Sequence, residues 1–182
     1  MADGSVSTAI VPGNGDYNGT SVGSSTGYVL PAGNFAVQID ESKGWSSGWW
    51  QYCYIRLGIG ANSYELGKQW RDGSSGVYTG VGNIYGGTVN LNYNTMQFRI
   101  TRVDTTLTYY ARGWDGANWT TFTTIGTPDT VGTGGATFAF GVGNTANNGV
   151  VSNWDNFVVV PEPASLALLG LGALGLLRRR RQ

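Results

Sequence analysis

The chain has 182 residues, with 11 basic and 11 acidic side chains, 30 glycines, 7 tryptophans, 10 tyrosines, 1 cysteine and no histidine. Formal charge is zero, and the 7 basic and 10 acidic residues ahead of position 161 leave that part mildly acidic without a basic stripe, which argues against a nucleic-acid partner. Lack of histidine removes every His-containing triad, and a lone cysteine excludes an intrachain disulfide and, with no histidine, a structural zinc site.

Glycine, aromatic and β-branched residues with few charges predict an all-β domain with frequent tight turns. Gly13 to Gly33 is rich in Gly, Ser and Asn and reads as a long surface connection. Phe35-Ala-Val37-Gln-Ile39 then places three apolar residues on one face, as a core strand does. Trp45-Ser-Ser-Gly-Trp49-Trp50 is a loop with three indoles. Trp49 to Gly60 alternates Gln51, Cys53, Ile55, Leu57 and Ile59 against Trp50, Tyr52, Tyr54 and Arg56, a long strand in which Cys53 is a small buried hydrophobe. Tyr64 to Trp70 is a shorter strand, and Thr79 to Gly87 a second Gly-rich connection. Neither connection has the phosphate-loop pattern.

Met96, Phe98 and Ile100 point inward, Asp104 to Thr106 turns the chain, and Leu107 to Ala111 returns as the hairpin partner. Asp115-Gly116 marks another tight turn, followed by a strand from Trp119 to Ile125. Phe138, Phe140 and Val142 make one more strand. A loop then gathers the amides of Asn144, Asn147, Asn148 and Asn153 near Trp154, and Trp154 to Val160 is the last strand. No stretch of ten residues before position 161 carries a helical stripe. Strands spaced by about 8–15 residues fit a two-sheet antiparallel sandwich.

The last 22 residues have another character. Pro161-Glu162-Pro163 interrupts regular structure and keeps the backbone extended. The run from Ala164 to Leu177 is apolar and small enough to enter a bilayer as a helix. Arg178, Arg179, Arg180 and Arg181 then resist translocation, which puts the chain before them on the far side of the membrane. A helix over residues 164–177 spans roughly 21 Å against a hydrocarbon core of about 30 Å, short for a permanent anchor. In this order the tripeptide, the Gly/Leu-rich segment and the Arg cluster resemble the PEP-CTERM sorting signal of exopolysaccharide-producing bacteria. That resemblance implies an exosortase as processing partner, transient residence in the inner membrane, and delivery to the cell surface or extracellular matrix. An exported chain should begin with a basic and then an apolar segment, whereas Met1 to Thr8 is polar and small. The expectation is a trimmed start, with the first strand of the domain absent.

Three stretches in order resemble the concanavalin A-like, laminin-G-like jelly rolls. They are Gly33 to Ile39, then Phe98 to Arg102 with Leu107 to Trp119, and finally Trp154-Asp155-Asn156-Phe157-Val158. The resemblance implies a jelly-roll sandwich over residues 1–160, followed by the sorting signal over 161–182.

The fold group includes glycosidases, which need two carboxyl groups about 5–9.5 Å apart and commonly carry a Glu-x-Asp-x-x-Glu strand. No such triplet occurs. Asp40 and Glu41 are adjacent and point to opposite faces of a strand, Glu65 and Asp72 stand alone, and Asp104 and Asp115 sit in turns. These carboxylates read as turn-forming and solvated, so no catalytic residue is assigned. Sugar binding asks for indole and phenol faces with amide partners. Trp45, Trp49 and Trp50 in one loop, and Asn144, Asn147, Asn148 and Asn153 in another, supply these types, though the same residues also serve core packing and turns. Asp155 is the one acidic candidate for calcium near the Asn-rich loop. It more naturally accepts backbone N–H bonds, and no cofactor is expected. The reading is a non-enzymatic surface protein that binds or organises extracellular polysaccharide. A glycoside-active enzyme and a purely structural matrix protein are the alternatives.

Overall fold

The structure is a computed structural model and describes residues 6–10, 20–23, 29–30, 32–44, 51–71, 74–82, 84–144 and 150–161. Thirteen strands form two antiparallel sheets. They are β1 Val6–Ile10, β2 Thr20–Gly23, β3 Val29–Leu30, β4 Phe35–Gly44, β5 Gln51–Ile59, β6 Asn62–Arg71, β7 Ser74–Val81, β8 Ile84–Val89, β9 Thr95–Val103, β10 Thr106–Gly113, β11 Thr123–Thr130, β12 Ala136–Asn144 and β13 Val150–Pro161. The six-stranded sheet runs β1-β13-β4-β9-β10-β11. The seven-stranded sheet runs β2-β12-β5-β6-β7-β8, with β3 also on β12. β4 and β5, β8 and β9, β11 and β12, and β12 and β13 lie in different sheets, so the chain wraps the core as a jelly roll does.

Alternation decides which side chains enter the core. In β10, Leu107, Tyr109 and Ala111 are buried while Thr108, Tyr110 and Arg112 face outward. Facing them across β9 are Arg102, Ile100 and Phe98, and β4 adds Phe35, Val37 and Ile39. The other sheet contributes Cys53, Ile55 and Leu57 from β5, Leu66 from β6, Val77 from β7 and Val142 from β12. Each fully buried aliphatic side chain of this kind stabilises the sandwich by roughly 1.5–3 kcal/mol relative to exposure. Cys53 lies inside as expected, opposite Lys68 in register.

The β9–β10 hairpin turns at Asp104-Thr105, with Asp104 at φ 53°, a left-handed conformation that a short polar side chain tolerates. Several expectations need correction. β1 fills the place expected to be missing, pairing with β13 from Val6↔Trp154 to Ile10↔Val150. Thr79 to Gly87 is not a connection but the end of β7 and most of β8, and the segment before Gly33 holds β2 and β3. Gly76 and Gly80 in β7 and Gly86 and Gly87 in β8 interrupt the alternation, and β2 and β3 are only 4 and 2 residues long, while the backbone ladder needs no side chain. The strand expected from Trp119 begins only at Thr123, because Trp119 closes a loop instead. It bridges to Trp114, and Thr120 N–H bonds Gly113 O at 2.9 Å. β13 runs through Pro161, so the first residue of the tripeptide belongs to the sheet. Proline is tolerated there because β1 has already left that part of β13, which is an edge. The helix expected over 164–177 lies outside the described residues. Among the described residues no helix is long and apolar enough to cross a membrane.

Candidate functional site

Most residues singled out for sugar binding lie outside the described residues: Trp45, Trp49, Trp50, Asn147 and Asn148. Asn144 ends β12 opposite Gln51, and Asn153 is exposed on β13 between Ser7 and Ser42. These two asparagines belong to different sheets. Asp155 is exposed and its Oδ1 accepts the N–H of Asn156 at 2.7 Å, at the bulge where Asn156 takes φ 51°. Asp155, expected to fix a turn leading into the last strand, lies instead within β13, where it accepts this one N–H. Among the described residues no three His, Cys, Asp or Glu side chains group as metal ligands. Of the sorting residues, only Pro161 is described; Glu162, Pro163 and Arg178 to Arg181 are not.

The carboxylates behave differently from their reading as solvated turn residues. Glu65 stands on the outer face of the seven-stranded sheet yet is 2% exposed. It accepts Arg56 Nε at 3.0 Å and Nη2 at 2.7 Å through Oε2, and the Tyr78 hydroxyl at 2.5 Å through Oε1. Burial works against the Arg56 charge, but the hydrogen bond and charge of Glu65 outweigh it and hold the guanidinium above its ordinary pKa. The next positions of β6 on this face are Gly67 and Gln69, so no second carboxylate joins Glu65 there. A Cβ at Gly67 would lie 2.8 Å from the Tyr78 hydroxyl, so the glycine lets Tyr78 cross the strand to reach Glu65. Glu41 is fully buried and accepts a hydrogen bond from Ser152 Oγ. Asp72 is outside the described residues. Asp40 and Asp155, in contrast, are direct cross-strand partners on the outer face of the six-stranded sheet. Asp40 Oδ1 accepts Gln97 Nε2 at 2.5 Å and its Oδ2 accepts Asn156 Nδ2 at 2.9 Å.

That outer face holds an organised set of polar and aromatic side chains that the loop-centred reading missed. One row runs across four strands as Asp155, Asp40, Gln97 and Arg112. The next row runs Gln38, Arg99, Tyr110 and Thr124. Arg112 Nε donates to Gln97 Oε1 at 2.8 Å, and Arg99 donates to Gln38 Oε1 from Nε at 2.9 Å and Nη2 at 2.5 Å. Both guanidinium carbons lie over Phe122, at 4.1 Å for Arg99 and 4.4 Å for Arg112, and Arg112 also lies 5.1 Å from the Trp119 ring. Tyr110 meets Phe122 edge-on at 6.3 Å. Trp119 packs against Trp114, ring centres 5.5 Å apart, and Trp114 leaves 37% of its surface in water. The loop between these indoles is fixed by Asp115, whose Oδ1 accepts the N–H groups of Asn118 at 2.7 Å and Ala117 at 2.8 Å. Those bonds hold its carboxyl below the usual range. Desolvation, followed by the nearby Arg112 charge, lowers the pKa of Arg99. Period-two outward positions in β9 and β10 were the available sequence signal for this face.

Residues 159–181 match the PEP-CTERM protein-sorting motif. This chain therefore carries that sorting signal, which marks it as exported and sorted through an exosortase. No curated protein matches the chain. Among solved structures it is similar to a functionally unknown protein from Saccharomyces cerevisiae, with TM-score 0.64, 11% identity, and 89% of this chain and 90% of that one covered. It is also similar to the CBM2 module of the Lactobacillus casei BL23 phage J-1 evolved Dit, with TM-score 0.55 and 12% identity over 72% of this chain and 66% of that one. A β-1,3-glucanase from Mycobacterium marinum matches with TM-score 0.54 and 10% identity over 86% of this chain and 74% of that one. At these identities the likeness is one of fold.

Proposed function

We propose that this exported chain acts at the cell surface or in the extracellular matrix, where its sandwich binds or organises polysaccharide without cleaving it. The observation that carries the reading is the outer face of the six-stranded sheet. Trp114 offers an exposed indole face for the C–H side of a sugar ring, and Trp119 backs it. Asp40 and Asn156, hydrogen-bonded to each other on the same sheet, supply polar groups for hydroxyls. The sorting motif supports the setting, since it directs the sandwich out of the cytoplasm. Affinity gel electrophoresis of the full chain in mild non-ionic detergent tests the reading, with polysaccharides of different charge cast in the gel. Retardation that Trp114→Ala weakens supports it, and no retardation on any polymer leaves a purely structural matrix protein.

A glycoside-active enzyme is the second reading, favoured by one observation: Asp40 and Asp155 face each other across β4 and β13. Directly opposed side chains have Cβ atoms about 5 Å apart, within reach of the spacing that retaining glycosidases use. Against it, both oxygens of Asp40 are already taken up as acceptors, Oδ1 by Gln97 and Oδ2 by Asn156, so the carboxylate is committed to structural partners. Reducing-sugar release that disappears in both Asp40→Asn and Asp155→Asn would establish this second reading over the first.

A further inference from the structure

We infer that the polysaccharide taken by the outer face of the six-stranded sheet is an acidic one, whose ring carboxylates are held by Arg99 and Arg112 while a neighbouring ring stacks on Trp114. The inference rests on the binding reading above and adds the class of ligand.

The two guanidiniums are brought together by the strands themselves. Arg99 faces Tyr110 across β9 and β10, and Arg112 stands two residues further along β10, so the arginines are diagonal neighbours on one face. Phe122 packs against both, at 4.1 and 4.4 Å, which fixes each fork against a ring. Their described hydrogen-bond acceptors are the neutral side-chain carbonyls of Gln38 and Gln97. Among the described residues the one salt bridge lies elsewhere, between Arg56 and Glu65. Two like charges are thus held side by side in a domain whose overall charge is mildly acidic, with no carboxylate among the described residues in ion-pair contact. Such a pair costs stability unless something anionic meets it, and the Arg112 charge already disfavours the charged form of Arg99.

An arginine whose plane is fixed by an aromatic ring presents its remaining N–H groups as a rigid fork that matches a carboxylate. A neutral glycan would need the indole and amide groups of this face but would gain nothing from the paired cations. Asp40 and Asp155, one and two strands beyond Gln97 in its row, add the opposite sign at the far end. A polyanion is thereby steered toward the Arg and Trp side.

Affinity gel electrophoresis of the full chain in mild non-ionic detergent tests this with three polymers: polygalacturonate, the same polymer methyl-esterified to remove its charge, and a neutral β-1,3-glucan. The expected result is retardation by polygalacturonate that falls about tenfold or more on esterification and weakens as salt is raised. Arg99→Gln and Arg112→Gln should each weaken binding of the acid by about tenfold, a larger loss than either causes with the neutral polymers. Arg99→Lys and Arg112→Lys keep the charge but lose the fork and should recover only part of the affinity. Thermal midpoints of all four variants identify any that fail to fold, and the esterified polymer needs no variant. Equal binding of the acid and its ester overturns the acidic class while the binding reading stands. Absence of binding to all three overturns both.

Discussion

Lys68 on β6 and Glu41 on β4 enter the interior from opposite sheets, both withdrawn completely from water, and the carboxylate favours the charged form of the amine. The ammonium donates to the carbonyl of Tyr93, and Glu41 accepts from Ser152. Burial is the stronger influence on Lys68 and lowers its pKa.

The sign of the resulting pH effect is fixed by linkage. With the native pKa below the unfolded value of about 10.4, the unfolded chain binds more protons between the two. The Lys68 contribution to stability is therefore complete above the unfolded pKa and lost as pH falls through the native one. Urea midpoints of wild type relative to Lys68→Met should rise as pH approaches 10, and a difference that stays flat from pH 6 to 10 would contradict this. Glu41→Gln, which strips a buried ammonium of its nearby charge, should cost about 3 kcal/mol at neutral pH.

Arg102 is the second fully buried cation, and its role is to tie loops together. Nε donates to Gly33 O at 2.6 Å, and Nη1 donates to Gly134 O at 2.6 Å and Gly132 O at 3.3 Å. The Phe35 ring lies 4.5 Å from the guanidinium carbon, and Gly33 N–H bonds Thr133 O at 3.2 Å. Lysine cannot place donors on two separate loops in one plane. Arg102→Lys should cost about 2–3 kcal/mol and speed amide exchange at Gly33. Unchanged exchange at that amide would argue against the clasp.

Inward-facing strands were legible because apolar residues at every second position have one physical cause, as Leu107, Tyr109 and Ala111 demonstrate. Strands such as β1 and β8 were not, since their place depends on a partner's backbone rather than on their own pattern. The buried polar residues escaped for a related reason. Lys68, Glu41 and Arg102 occupy inward positions that period two alone would assign, but only tertiary partners make burial of a charge tolerable. The Arg99, Arg112 and Phe122 cluster joins three segments whose adjacency follows from register. The sorting tail was readable because its meaning lies in segment order, which needs no tertiary structure.

Glu65, Arg56 and Tyr78 form a structural triplet, and their test is energetic coupling rather than turnover. Tyr78→Phe removes one donor from a buried carboxylate and should cost about 1–2 kcal/mol. Arg56→Met should cost about 1–3 kcal/mol, with water around the half-exposed guanidinium setting the lower end. Because both act on the same carboxylate, the double variant should depart from additivity by at least about 0.5 kcal/mol in urea denaturation. Strict additivity would mean that Tyr78 and Arg56 hold Glu65 independently rather than as a coupled triplet.

The Tyr109 hydroxyl donates to Asp129 Oδ2 from β10 to β11, with the ring fully inside. Burial first, then the hydrogen bond and the charge of Asp129, raise the pKa of this phenol. Its native pKa exceeds the unfolded value of about 10, so the unfolded chain releases the proton first as the solution becomes alkaline. This contribution to stability is complete below pH 10 and is lost as pH rises from there toward the native pKa. Tyr109→Phe should cost about 1 kcal/mol at pH 7 through the lost hydrogen bond. Above pH 10 its unfolding midpoint should fall less steeply than that of wild type, so that the two curves converge. Parallel curves through pH 11 would show that the Tyr109 proton is not what the alkaline limb measures.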